Sequence, residues 1–333
     1  MKRLAVIGAG NWGTALAVMA ARKGHEVTLW SRNAEVVAGI TASRVNHLYL
    51  EGVTIPDGVT ATDEIGQAVT NSDLIILAAP SHAMRDLLKQ IASSIPDNAI
   101  LISATKGIEI ASGQRMSQVV NDVLGGSFPN RFVCLSGPSF ADEVVAGYPT
   151  AIVAASIGST ERETVQKELS FANLRIYSND DLVGTELGGS IKNIMAIAAG
   201  MVAGLGFGTN TVAALITRGL AEMTRLALRQ GARLETMMGL AGLGDLVLTC
   251  TGALSRNRRV GFELGKGTPI DKITSSMRGV AEGIKTTAAV HNLAMRLGVE
   301  MPITEQVRAV LYDNKSAKDA ASELMARPLR DEA

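Results

Sequence analysis

One local arrangement constrains this chain more than any other. A short apolar run, Leu4-Ala5-Val6-Ile7, leads straight into Gly8-Ala9-Gly10-Asn11-Trp12-Gly13, and a helical pattern runs from Asn11 to Lys23. A G-x-G-x-x-G alone is weak evidence, but a strand before it and a helix after it supply the right context. Gly8 permits the tight turn, Gly10 lets the backbone approach a pyrophosphate, and Gly13 lets helix and strand pack closely. The helix start then offers N–H groups and a positive dipole end to phosphates. The competing account is an ordinary glycine turn, which needs none of this spacing.

The rest of the first half repeats the signal. Val27 to Trp30, Leu74 to Ala78, Ala99 to Ile102 and Phe132 to Leu135 are apolar runs bounded by turn residues. Such runs suit a parallel sheet covered on both faces. Ala151 to Ala155 and Leu174 to Tyr177 are expected as edge strands, with a helix over 160–170 between them. The fold class is therefore α/β, a Rossmann-type doubly wound sheet over residues 1–180. Strand signals fade after Ser178-Asn179-Asp180-Asp181. Helices are expected at 182–203, 211–230, 256–265, 283–297 and 304–312, so residues 181–333 are read as an all-helical second domain.

Composition narrows the partners. Lys plus Arg and Asp plus Glu both total 32, for zero formal charge, which argues against nucleic acid. Two cysteines, Cys134 and Cys250, are too few for a disulfide framework and fit a reducing compartment. The N-terminal apolar run ends in glycines and does not read as an export signal. The best membrane candidate, 194–208, is about 15 residues, short of a span. Its Gly200, Gly204 and Gly208 have the spacing of a membrane dimer motif. A buried helix in a cytoplasmic protein is the preferred reading, with core and homodimer interface both open as its use. No His, Cys and Asp set has metal-ligand spacing, so no metal is expected. His25, His47, His82 and His291 have no nameable partners.

Two charged positions stand out. NAD-only sites usually carry an acid roughly 20 residues after the first glycine, at the end of the second strand. Here the chain reads Trp30-Ser31-Arg32-Asn33. Arg32 suits a 2′-phosphate, so NADPH is expected to be preferred or accepted alongside NADH; a solvated surface arginine is the alternative. Further on, Lys192 is the one charged residue between Glu186 and Arg218, beside an apolar stripe of Leu187, Ile191, Ile194, Met195 and Ala198. A lysine there is costly to bury unless paired. Desolvation lowers such a lysine's proton affinity and fits it for proton transfer near neutral pH. A lysine snorkelling to the surface fits the pattern equally well.

With these residues placed, the sequence resembles the bacterial NAD(P)-dependent glycerol-3-phosphate dehydrogenases. The resemblance rests on Gly8 to Leu16, Lys106 to Glu109, Gly137 to Ala141, Glu186 to Asn193, Gly239 to Thr249, Ser255 to Asn257 and Gly279 to Gly283. It implies interconversion of dihydroxyacetone phosphate and sn-glycerol 3-phosphate with NAD(P)H, the product feeding glycerophospholipid synthesis. It implies Lys192 as proton acceptor and donor. Lys106, Gly137, Ser139, Asp245, Ser255, Arg256 and Asn257 fall at substrate positions. Gly8, Gly10, Asn11, Trp12, Gly13, Arg32, Asn33, Lys106, Ala141, Arg256, Val280 and Glu282 fall at cofactor positions. Asn193 and Thr249 fall at supporting ones. The family's usual small hydroxyl residue at position 11 is Asn here. A guanidinium with hydroxyl and amide donors, as at Ser255-Arg256-Asn257, is what a phosphate monoester requires.

Two other accounts compete. A ketopantoate or β-hydroxyacid reductase shares the two-domain build, but several of these carry Asn four residues after the catalytic Lys, where this chain has Ala196. A non-catalytic NAD(P) sensor has no need of Lys192, Lys106 and Asp245 together.

Overall fold

The computed structural model describes residues 1–126, 128–277, 281–329 and 331. The chain divides into two compact units. One comprises Met1–Lys106 with Gln114–Glu186, the other Gly107–Gly113 with Leu187–Ala333.

The first unit is built on an eight-stranded sheet. Its strands are β1 (Arg3–Ile7), β2 (Glu26–Trp30), β3 (Val59–Thr62), β4 (Leu74–Leu77), β5 (Ile100–Ser103), β6 (Phe132–Ser136), β7 (Thr150–Ala155) and β8 (Leu174–Asn179). The order is 3-2-1-4-5-6-7-8. All neighbours are parallel except β6 and β7. Leu4, Ala5, Val6 and Ile7 of β1 and Leu74 to Leu77 of β4 are at most 1% exposed. A strand buried on both faces must be apolar throughout, which is why these runs lack alternation. The outer strand β8 does alternate, with Leu174 and Ile176 buried and Arg175 and Tyr177 exposed. One strand expectation needs correction. Residues 150–155 form an interior strand, not an edge, because β8 pairs with their far side. The true opposite edge is β3, Val-Thr-Ala-Thr, in which Val59 alone is fully buried. The order reverses between β1 and β4, at the crevice where open α/β sheets bind ligands.

The second unit is helical. Its main helices are Leu182–Gly204, which begins within the first unit, then Thr209–Arg229, Arg256–Gly265, Glu282–Leu297 and Pro302–Tyr312. Shorter ones at Asp245–Thr251, Ile270–Ser276 and Ala317–Met325 escape the periodicity argument. The Leu182–Gly204 helix, at 23 residues, is long and apolar enough to cross a membrane, and 83% of its most apolar window is buried inside the protein. Its glycines explain the burial. A Cβ at Gly200 would lie 2.0 Å from the Arg258 carbonyl oxygen, and one at Gly204 would lie 2.2 Å from that of Phe262. Reciprocally, Gly261 meets the Ile197 carbonyl at 1.9 Å and Gly265 that of Met201 at 2.5 Å. The small-residue spacing therefore serves an intramolecular crossing, backbone on backbone, rather than a membrane dimer.

Candidate active site

The glycine turn follows β1 at the sheet's switch point. Gly8 has φ +119°, and a Cβ there would sit 2.8 Å from the Ala78 carbonyl oxygen. A Cβ on Gly13 would fall 1.9 Å from the Gly8 oxygen. Gly10 differs: a Cβ there meets nothing within 4 Å. Two glycines are thus required by packing, and the third borders open space. The helix Asn11–Arg22 starts there with no side-chain cap, so its first-turn N–H groups have no intrahelical partner. This combination fits a dinucleotide pyrophosphate. Trp12 is half-buried against the sheet's core.

The Gly8 N–H donates to the Trp30 carbonyl at 3.0 Å, which sets the end of β2 beside the turn. Arg32, two residues further on, is exposed. Asn33 follows it. Its Oδ1 accepts from the Glu35 N–H at 2.9 Å and caps the next helix.

A second group gathers beyond the ends of β5 and β6. Lys106 Nζ donates to the Gly137 carbonyl at 3.0 Å, and Ser139 Oγ donates to the same oxygen at 3.2 Å. Gly137 has φ +132° and no room for a Cβ, which would lie 2.9 Å from Ile152 Cα. Ala141 opens a short helix with its side chain in the core, so only its backbone is available to a ligand. Glu186, from the segment that holds Lys192, belongs to this unit and binds other groups. It accepts from Arg115 Nη1 at 2.5 Å, Ser117 N at 2.7 Å and Ser117 Oγ at 2.6 Å.

In the second unit the central residue is Lys192, 6% exposed. It does not snorkel. Its Nζ is in a short contact with Asp245 Oδ1 and donates to Thr249 Oγ1 at 2.8 Å. The Thr249 hydroxyl in turn donates to the Asp245 backbone oxygen at 2.6 Å. The sequence explains the meeting. A Cβ on Gly188 would lie 2.4 Å from the Ala241 oxygen, so the two backbones touch there. Four residues on from each contact point stand Lys192 and Asp245, one helical turn along both segments. Between Ala241 and Asp245 the chain runs through a π-helical stretch, Leu240–Gly244. The pairing that a buried lysine requires is present. Asp245, its partner, is itself only 1% exposed.

Ser255 caps the Arg256–Gly265 helix, its Oγ accepting from the Arg258 N–H at 3.2 Å. Arg256 is exposed at the first turn. Asn257 is buried, and both ends of its amide are bonded. Nδ2 donates to Asn193 Oδ1 at 3.0 Å, and Oδ1 accepts from the Gly283 N–H at 3.0 Å. Sequence reasoning assigned Asn257 to the substrate and overlooked this link, although Gly283 in the Gly-Val-Ala-Glu-Gly run signalled it. A Cβ at Gly283 would sit 2.7 Å from Asn257 Oδ1 and 2.8 Å from the Asn193 oxygen. Glu282 begins the next helix, and Val280 lies outside the described residues.

Neither thiol has a reactive environment. Burial pushes the Cys250 thiol up to about 12, against the pull of the Lys192 and Arg258 charges, and raises Cys134 well above the usual range. Among the described residues, no group of three or more His, Cys, Asp or Glu side chains could hold a metal ion.

Comparisons with known proteins identify the family. The family models for the N- and C-termini of NAD-dependent glycerol-3-phosphate dehydrogenase match residues 3–162 and 181–322. The glycerol-3-phosphate dehydrogenase [NAD(P)+] of Koribacter versatilis is 53% identical over 330 residues, 98% of each chain. A crystal structure of glycerol-3-phosphate dehydrogenase from Coxiella burnetii is 39% identical, covers 98% of this chain and 99% of that one, and superposes with a TM-score of 0.94. A ketopantoate reductase from Ralstonia eutropha, 14% identical with a TM-score of 0.61 over 96% of this chain and 99% of that one, shares the fold alone. With relatives this similar along its whole length, the chain belongs to the NAD(P)-dependent glycerol-3-phosphate dehydrogenase family.

Proposed function

We propose that the protein reduces dihydroxyacetone phosphate to sn-glycerol 3-phosphate, and runs the reverse oxidation, with Lys192 as the proton donor and acceptor. The observation that carries this reading is the buried Lys192 ammonium held by Asp245 and Thr249. Bound NAD(P)H supplies the hydride for C2 of the ketone. As the carbonyl carbon gains that hydride, its oxygen needs a proton. Lys192 Nζ gives one up, leaving a neutral amine that solvent reprotonates. In the reverse direction the neutral amine takes the hydroxyl proton. A fixed proton donor is worth typically 10²–10⁴ in rate.

The phosphate falls to Arg256 and the helix start behind it. Ser255 Oγ, which accepts from the Arg258 N–H, keeps its own O–H to donate, and Asn257, bonded to Asn193 and Gly283, adds its backbone N–H and fixes the helix start that carries Arg256. Lys106 and Ser139 sit with their donors on one carbonyl, where a substrate oxygen would compete for them. Asn11, Trp12, Arg32 and the Glu282 helix start are assigned to the dinucleotide, with Arg32 on the 2′-phosphate of NADPH. The cytoplasm, reducing and supplied with both nicotinamides, suits two buried free thiols.

The test is an assay with dihydroxyacetone phosphate and ketopantoate, each with NADH and NADPH, followed by nicotinamide absorbance. Turnover of the triose phosphate alone is expected. Faster turnover of ketopantoate would overturn the reading.

A further inference from the structure

Asn46 lies well away in sequence from the glycine turn and is 1% exposed. A buried amide is tolerated only when it is bonded, and this one is. Nδ2 donates to the Ala9 carbonyl oxygen at 2.9 Å and to Thr14 Oγ1 at 2.9 Å. Thr14 Oγ1 donates to the same Ala9 oxygen at 3.3 Å. Asn46 Oδ1 accepts from the Tyr49 N–H at 3.3 Å. The turn that carries Asn46 is itself tied down. Asn46 and Leu50 form a β-bridge, and Arg44 donates to the carbonyls of Ile55 and Val59 at 3.0 Å each.

Ala9 is the second residue of Gly8-Ala9-Gly10, and its carbonyl is drawn inward by two donors. A trans peptide places the N–H of the next residue on the opposite side. The Gly10 N–H therefore faces away from Asn46, on the residue whose missing Cβ would border open space. A flipped peptide would turn a carbonyl oxygen toward the phosphates and repel them.

We propose that Asn46, with Thr14, is a positioning residue for the dinucleotide: it locks the Ala9–Gly10 peptide so that the Gly10 N–H is aimed at the pyrophosphate. This rests on the reading of the glycine turn as the NAD(P)H site. The pyrophosphate is common to both nicotinamides, so loss of the lock should weaken both alike. Arg32 should act on NADPH alone.

The experiment uses the full chain and its Asn46→Ala, Asn46→Asp and Thr14→Val variants. Asn46→Asp keeps the shape and removes the donor. Dissociation constants for NADPH and NADH come from nicotinamide fluorescence, alongside thermal midpoints and the KM for dihydroxyacetone phosphate at saturating cofactor. Both Asn46 variants are expected to raise both dissociation constants by a similar factor, roughly tenfold. Thr14→Val is expected to raise them about threefold and decides the matter if the Asn46 variants do not fold. The substrate KM and kcat at saturating cofactor should hold. Variants that melt lower yet bind both nucleotides as the parent does would reduce Asn46 to a structural role and end the proposal. A parent protein that binds neither nucleotide would instead end the cofactor reading beneath it.

Discussion

At the scale of single residues, Lys192 is defined by what touches it. An ammonium buried to 6% exposure persists because Asp245 and Thr249 take its hydrogens. Lys192→Ala should lower kcat by ~10²–10⁴ while NADPH titrates as before, measured by steady-state rates and fluorescence. Near-normal turnover would remove the lysine from its role. Arg32→Ala should raise the NADPH dissociation constant by roughly tenfold or more and change that of NADH little, because a charge-assisted bond to phosphate is at stake. Equal weakening would make Arg32 a surface residue. Lys192 was legible in the sequence because no other charge occurs between Glu186 and Arg218. Its partners were less so. Asp245 stands 53 residues away, and no local pattern encodes the touching backbones at Gly188 and Ala241. Asn257 was read by residue type, which tells what an amide offers and not that Asn193 and Gly283 already use it.

Elements were legible where burial imposes a period or a continuous apolar run. The central strands and the long helices meet that condition. β3 does not, since an edge strand with one fully buried side chain carries almost no hydrophobic signal. The Ala317–Met325 helix is likewise short and largely exposed. Two predictions belong here. Gly283→Ala drives a methyl into Asn257 and the Asn193 backbone, so it should destabilise the protein by ~1–3 kcal/mol in chemical denaturation. It should also raise the KM for substrate. An unchanged midpoint and KM would show that the chain relaxes at no cost.

The second concerns Glu222, 1% exposed, whose oxygens accept from the Ile303 and Thr304 N–H groups at 2.8 Å each at the start of a helix. Burial pushes its carboxyl up even though those amides and Arg225 pull it down. A raised acid binds its proton more tightly folded than unfolded. Its contribution to stability is therefore greatest below the ordinary carboxylate value of 4.5 and falls as pH rises toward the folded value. Glu222→Gln should flatten that part of the stability–pH curve, read from denaturation midpoints at stepped pH. Parallel curves for parent and variant would refute the assignment.

At the scale of the whole molecule, the chain passes between its two units three times, around Lys106, Gly113 and Glu186. The segment Gly107–Gly113 belongs with the second unit while both its flanks belong to the first, and Ile108 within it is fully buried. The Leu182–Gly204 helix starts in one unit and continues in the other. Melting either unit should therefore disrupt the other, and calorimetry should show one transition. Two well-separated transitions would show that the units unfold independently. NADPH at 100 times its dissociation constant should stabilise the protein by about 2.7 kcal/mol. Which residues share a unit could not be read from a chain that leaves and returns within eight positions, because sequence proximity and spatial neighbourhood part company there.

The glycine crossing of the Leu182–Gly204 and Arg256–Gly265 helices has a mechanical consequence. Where side chains separate two helices, rotamer hops give the joint slack, and the slack grows with temperature. At Gly200, Gly204, Gly261 and Gly265 there are no side chains to hop. The joint is a fixed pivot a few residues from both Lys192 and Arg256. The spacing of these two side chains, one on each helix, is thereby held like the jaws of a calliper, insensitive to warming until the helices themselves give way.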